Sequence, residues 1–222
     1  MNGYLQENDG QFSSLVSGKR IAVVGPAPYM GSSNLGDKIE SYDLVVRFNR
    51  SFPVPENMTP HIGKRTDILY VVSKWLNYKD ESYVQAARDA GIKCIYISYP
   101  DPSRCNKQKE WMKDFVYFRQ PTAWEGSRFT AMLQAKPATG NMGIIDLLSY
   151  PIKEMFICGF TFYMDGLYYD GYANEAHQKI VMRAQEKRHK PQIQRKCMLR
   201  IFHSDNRIVL DETMRKIIHR EI

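Results

Sequence analysis

The sequence predicts an α/β protein with a mostly parallel central sheet flanked by helices. Three observations carry that prediction. Short β-branched runs such as Ile21-Ala22-Val23-Val24 and Asp67 to Ser73 are apolar without alternation, as strands buried on both faces are. Segments of helical composition lie between such runs, so strand and helix alternate along the chain. A glycine-bearing loop follows the first strand and leads to a second, which is how α/β proteins bring backbone N–H groups to a phosphate.

The 222 residues suit one domain, 1–222, with a sizeable core, and 43% apolar against 25% charged residues is an ordinary globular balance. No apolar run approaches the roughly 18 residues of a membrane span. The polar start, MNGYLQENDGQFSS, lacks the basic and apolar regions of a secretory signal, so a cytoplasmic protein is expected. Cys94, Cys105, Cys158 and Cys197 are scattered without CxxC spacing and read as thiols of a reducing compartment. The net charge of +7 is uneven, with seven Lys/Arg against one Glu between Arg183 and Arg200. A basic C-terminal third suits an anionic substrate, a nucleic acid or peripheral contact with a membrane, or is a solvated face.

In chain order, residues 1–18 are a lead-in with a helical turn around Phe12 to Val16. The first strand stops at Gly25, and an eleven-residue loop with Pro26, Pro28, Gly31 and Gly36 follows. A short helix, Asp37 to Tyr42, precedes the second strand, Asp43 to Val46, which delivers Arg47 and Asn49. The third strand is Asp67 to Ser73, and a helix from Lys79 to Ala90 stops at Gly91. Lys93 to Ser98 is the fourth strand. Gln108 to Phe118 reads as a helix whose Trp111, Phe115 and Phe118 face the core, and Trp124 to Gln134 as another. The turn Lys136 to Gly140 opens a helix, Asn141 to Ser149, before strand Glu154 to Cys158 and Gly159. Residues 161–195 carry no strand signal and are long for a loop, which marks a functional lid or a helical excursion. Cys197 to Phe202 reads as the last strand and Asn206 to Arg220 as the last helix.

In an open parallel sheet, ligands bind outside the carboxyl ends of the strands. Loops Gly25–Gly36, Arg47–Arg50, Gly159–Tyr169 and His203–Asp205 each follow an expected strand and so converge on one crevice. Thr139 and Gly140 open a helix, where free N–H groups suit a phosphate or a carboxylate; a plain helix cap is the alternative. Gly25 and Gly36 are phosphate-loop or simple turn residues, since the spacing is neither GxGxxG nor GxxxxGK[ST]. His203 follows an expected strand and precedes an expected helix N-terminus, which keeps an imidazole neutral and able to accept a proton; a structural histidine is the alternative. No histidine pair has zinc spacing and no DxD-like cluster occurs, so no metal and no cofactor is expected.

The pattern AVVG…GS…G…I…YDLVVRFN…IGKRTD, from Ile21 to Asp67, resembles the large sialylmotif of glycosyltransferase family 29, the sialyltransferases. Pro137-Ala138-Thr139-Gly140, with Gly159-Phe160 nineteen residues on, is similar to the small sialylmotif that holds the cytidine nucleotide. GFTFYMDGLYYD resembles the matching segment of the bacterial sialyltransferases of family 42, and His203-Ser204 resembles the histidine motif of both families. The resemblance implies a GT-A-like variant of the Rossmann sheet. It also implies an inverting, metal-independent transferase moving a CMP-activated acidic sugar, sialic acid or a related 3-deoxy acid, to a glycan or lipid hydroxyl. His203 would be the general base, and Tyr163 and Tyr169 would donate hydrogen bonds to the leaving phosphate. Gly25, Pro26, Ala27, Asn49, Ala138, Thr139, Gly140, Gly159 and Phe160 would bind the donor.

The chain departs from the family pattern at Pro26, where the family has Asn, at Ala138, where it has Ser, and at Ile208, where an acidic residue follows the histidine by five. The histidine–tyrosine pair of the third family motif has no clear counterpart, Tyr168-Tyr169 standing nearest. Both cysteines of the family disulfide are absent, with Ile21 at one end and Tyr150 or Pro151 at the other. Pro26, Ala138 and Ile208 favour an alternative, a CMP-binding module whose catalysis has decayed. Nucleic-acid binding through residues 183–200 lacks an aromatic-interleaved RNA motif or a helix-turn-helix.

Overall fold

The computed structural model describes residues 10–76, 80–100, 110, 112–164, 166–172 and 185–219. Its strands are β1 (Arg20–Val24), β2 (Leu44–Phe48), β3 (Ile68–Val72), β4 (Cys94–Tyr99), β5 (Tyr117–Arg119), β6 (Glu154–Cys158) and β7 (Ile208–Leu210). They form one seven-stranded sheet in the order β5-β4-β3-β2-β1-β6-β7, with every pairing parallel. From β1 the strands step outward through β2 to β5, and the chain then returns to the far side of β1 as β6. The strand order therefore reverses between β1 and β6, the position at which open α/β sheets leave a crevice. The described helices are α1 (Gly10–Val16), α2 (Gly36–Glu40), α3 (Thr59–Ile62), α4 (Glu81–Asp89), α5 (Ala123–Leu133), α6 (Thr139–Leu148), α7 (Pro191–Ser204) and α8 (Glu212–His219).

Because side chains alternate along a strand, each central strand feeds two cores. Ile21, Val23, Val46, Ile68, Tyr70 and Ile157 pack on one face against α1, α5, α6, α7 and α8. Ala22, Val24, Val45, Phe156 and Cys158 pack on the other against α2 and α3, and Leu69, Val71, Ile95 and Ile97 against α4. Local signals fix several ends. Asp80 caps α4 by accepting from the Ser82 N–H at 3.0 Å, and Thr122 forms a capping box with Glu125 at the start of α5. Cys94 and Cys158 are buried in strands, as their context predicts. Among the described residues no helix is long and apolar enough to cross a membrane.

Three expected elements differ. Tyr117 and Phe118, read as the end of a helix, belong to edge strand β5, which pairs with Cys94 to Tyr96; of the expected core stripe, Phe115 and Phe118 do pack on the core, and Trp111 lies outside the described residues. Cys197 to Phe202, read as a strand, belongs to α7, where Gln194, Met198 and Phe202 are buried at the four-residue spacing of a helix. The last strand is instead β7, inside the span read as the final helix, and α8 begins only at Glu212. Of the expected lid, residues 173–184 lie outside the described residues.

Two arginines are buried by the sheet. Arg47 on β2 donates to the carbonyls of Ile62, Gly63 and Arg65, so it braces the loop before β3 and is not delivered to the crevice. Arg119 on β5 meets Asp146 of α6 at 2.8 Å and the Tyr150 hydroxyl at 2.7 Å, while Tyr70 of β3 donates to the same carboxylate at 2.6 Å.

Candidate active site

A cavity of about 440 Å³ opens over the carboxyl ends of β1, β2, β3, β4 and β6. Its floor is a contact between two backbones. The Gly25 N–H donates to the Cys158 carbonyl at 2.8 Å, and the Ala27 N–H to the Gly159 carbonyl at 3.1 Å. A Cβ on Gly25 would sit 2.3 Å from the Gly159 oxygen, and one on Gly159 2.2 Å from the Gly25 oxygen, so only glycine fits at either place. The Gly159 N–H donates to the Tyr29 hydroxyl at 2.6 Å, and Tyr29 in turn donates to Asp211, which caps α8.

Asn49, at φ +50, takes the left-handed conformation that asparagine tolerates, and its Oδ1 accepts from the Val72 N–H at 3.0 Å. It thus ties the end of β2 to that of β3 at the cavity wall. Facing it is the N-terminus of α6, which no side chain caps. Gly140 makes room there for Phe160, whose ring would lie 2.5 Å from any Cβ at that position. Uncapped N–H groups at Thr139 and Gly140, on a ten-residue helix, offer a positive end to an anion.

Gln194, buried in the first turns of α7, organises the opposite wall. Its Oε1 accepts from the Ala138 N–H at 3.0 Å and from Asn141 Nδ2 at 2.8 Å. Its Nε2 donates to the carbonyls of Lys136 and His189. His189 ends a short helical turn, Gln185–His189, and lines the cavity half-buried. Its Nδ1 lies 2.8 Å from the Lys136 carbonyl. A carbonyl only accepts, so Nδ1 carries the hydrogen, and in the neutral ring Nε2 holds the lone pair. Burial draws the imidazole pKa below its usual value, against the pull of the Lys136 carbonyl and with the help of the Lys136 and Arg188 charges.

After β6 the chain reverses through Phe162 and Tyr163, at φ +55 and +65, a backbone that costs non-glycine residues roughly 1–3 kcal/mol each. The reversal sets Tyr163, Tyr168 and Tyr172 into the cavity. The Tyr168 and Tyr172 rings lie 4.4 Å apart, and Tyr163 meets Tyr168 edge-on at 6.4 Å. Burial holds the Tyr163 and Tyr168 hydroxyls above their ordinary pKa, so both remain O–H donors. Arg50, Lys74, Lys136 and Arg188 also line the cavity, and no Asp or Glu does so among the described residues. Nor, among those residues, is any group of three or more His, Cys, Asp or Glu side chains placed to hold a metal ion.

Of the residues singled out in the sequence, Pro26, Ala27, Asn49, Ala138, Thr139, Gly140, Gly159, Phe160 and Tyr163 line this cavity, with Gly25 directly beneath. Two do not. Tyr169 is only 2% exposed, packs under β1 and β6 beside Tyr172, and leaves the cavity to its neighbour Tyr168. His203 is exposed on the last turn of α7, at a helix C-terminus and off the cavity wall. The histidine that does precede a helix N-terminus beside the cavity is His189. Its signal was Pro191, a residue favoured at the first helical position. Gln194 then falls five positions on, where an acidic residue was sought after His203.

The description of the family model that matches residues 7–141 is glycosyltransferase family 29 (sialyltransferase). The comparison with curated proteins finds no match. Among solved structures, a mammalian sialyltransferase in complex with Gal-beta-1-3GalNAc-ortho-nitrophenol is similar at 20% identity and a TM-score of 0.55, covering 90% of this chain and 71% of that one. The monofunctional alpha-2,3-sialyltransferase Cst-I from Campylobacter jejuni is similar at 14% identity and 0.58, covering 87% and 75%. The sialyltransferase Cst-II in complex with CMP is similar at 12% identity and 0.55, covering 86% and 80%. At these identities the structures speak for a shared fold, the variant Rossmann sheet. The family match spans well over half of the sequence: the chain belongs to glycosyltransferase family 29, the sialyltransferases, and is a CMP-sugar-dependent glycosyltransferase.

Proposed function

We propose that this chain transfers sialic acid, or a related 3-deoxy acid, from its CMP ester to a hydroxyl of a glycan or glycolipid in one displacement, with inversion at the anomeric carbon. His189 is the general base. Nε2 takes the proton of the acceptor hydroxyl as that oxygen attacks the anomeric carbon; the bond from that carbon to the phosphate oxygen breaks, and CMP departs with its electrons. No carboxylate lines the cavity among the described residues to form a glycosyl-enzyme, which supports a single step. The leaving phosphate gains charge as it departs. The Tyr163 and Tyr168 hydroxyls and the open N–H groups of α6 are donors suited to that charge, and the protein supplies this stabilisation with its own groups. The nucleotide takes the β1–β6 end, over Gly25, Gly159 and Asn49.

The observation that carries this reading is one imidazole, fixed in the proton-accepting tautomer beside an uncapped helix N-terminus, in a cationic cavity at the switch point. The test compares His189→Ala with His203→Ala. Loss of His189 is expected to lower kcat by about 10²–10⁴ while calorimetric CMP affinity stays nearly constant. His203→Ala is expected to stay close to the parent enzyme; the opposite pattern would return the base to His203.

A further inference from the structure

The cavity is longer than its nucleotide end. From β6 to β3 is three strand intervals, roughly 14 Å, and β4 adds a fourth. The far end carries a different chemistry. The Arg50 guanidinium, just past β2, lies 4.0 Å from the centre of the Trp75 ring, and Lys74 Nζ lies 4.5 Å from the same ring. One strand further, Lys136 Nζ sits 4.4 Å over Tyr99, whose hydroxyl donates to the Pro137 carbonyl at 2.5 Å. Each cation thus rests on an aromatic face, which helps to hold it at the cavity wall.

We propose that Arg50 and Lys74 form an anion subsite for the acceptor, so that the preferred acceptor glycan carries a carboxylate or a phosphate near the hydroxyl that is glycosylated. This rests on the transferase reading above. The placement argues for acceptor over donor: the nucleotide is allotted Gly25, Gly159 and Asn49, whereas these two cations stand past Asn49 and past the end of β3, where both rest on Trp75. Charge argues for an acid, because the described wall has no Asp or Glu to neutralise them. Two cations over one ring also match a bidentate anion better than a neutral sugar.

The test uses the full chain with CMP-sialic acid and three acceptors: lactose, sialyl-lactose and phosphorylated lactose. At least one anionic acceptor is expected to exceed lactose in kcat/KM by about tenfold, through KM, and the advantage is expected to shrink as salt is raised. The larger response of the two anionic arms identifies carboxylate or phosphate. In the Arg50→Gln/Lys74→Gln variant the three acceptors are expected to converge to within about twofold, a ratio that does not depend on how much of the variant is folded. Equal use of all three by the parent enzyme, or an advantage that survives in the variant, overturns the subsite and leaves the transferase reading standing. Absence of CMP release with every acceptor overturns that reading, and the subsite with it.

Discussion

At the residue scale, the site turns on which nitrogen of His189 holds a proton. The Lys136 carbonyl fixes Nδ1 as the donor, and burial keeps the ring neutral. In the proposed mechanism the deprotonated form is the active one, so activity is expected to fall as pH drops through the histidine pKa. Since that pKa lies below the ordinary 6.5, the acid limb of the kcat/KM profile is expected to have its midpoint under 6.5 and to vanish in His189→Ala. The tyrosines give a second residue-level test. Tyr163→Phe and Tyr168→Phe each remove an O–H from the cavity and are expected to lower kcat roughly 10²-fold. Tyr169→Phe removes a hydroxyl that does not line it, and is expected to spare kcat; equal losses at 168 and 169 in a steady-state assay would contradict the assignment.

At the element scale, two crossings set the shape of the site. The ends of β1 and β6 meet backbone to backbone at Gly25 and Gly159, and α6 meets the β6 loop through Gly140 and Phe160. Gly25→Ala drives a methyl into the Gly159 carbonyl. It is expected to spread the two strand ends at a cost of about 1–3 kcal/mol in urea denaturation, and to weaken CMP binding in parallel. Gln194 does the matching work on the other wall, joining α7, the 136–138 turn and the first turn of α6.

At the scale of the whole molecule, an edge strand is tied to the centre by a buried ion pair. Arg119 and Asp146, both under 10% exposed, join β5 to α6, with Tyr70 and Tyr150 completing the hydrogen bonds. Asp146→Ala removes the carboxylate that meets the buried Arg119 guanidinium and the Tyr70 hydroxyl, and is expected to cost about 3–5 kcal/mol in chemical denaturation. Asp146 does not line the cavity, so the protein that remains folded is expected to keep its KM for the donor.

The sequence by itself determined the parallel α/β sheet, its four central strands and β6, and most of the residues that line the β1–β6 end of the cavity. Those features are locally written: unbroken apolar runs mark strands covered on both faces, and the glycines at 25, 140 and 159 stand where those strands end and where α6 begins. The tertiary structure alone decided the edges and which histidine lines the cavity. β5 and β7 are three residues long and exist by pairing with β4 and β6, so their own residues signal little. CMLRIF is apolar enough for a strand or a helix, and only the contacts of Met198 and Phe202 with the core select the helix, which moves the histidine before a helix from 203 to 189. That Tyr168 lines the cavity and Tyr169 does not depends on the path of the backbone after its reversal at 162–163, a torsion that composition does not encode.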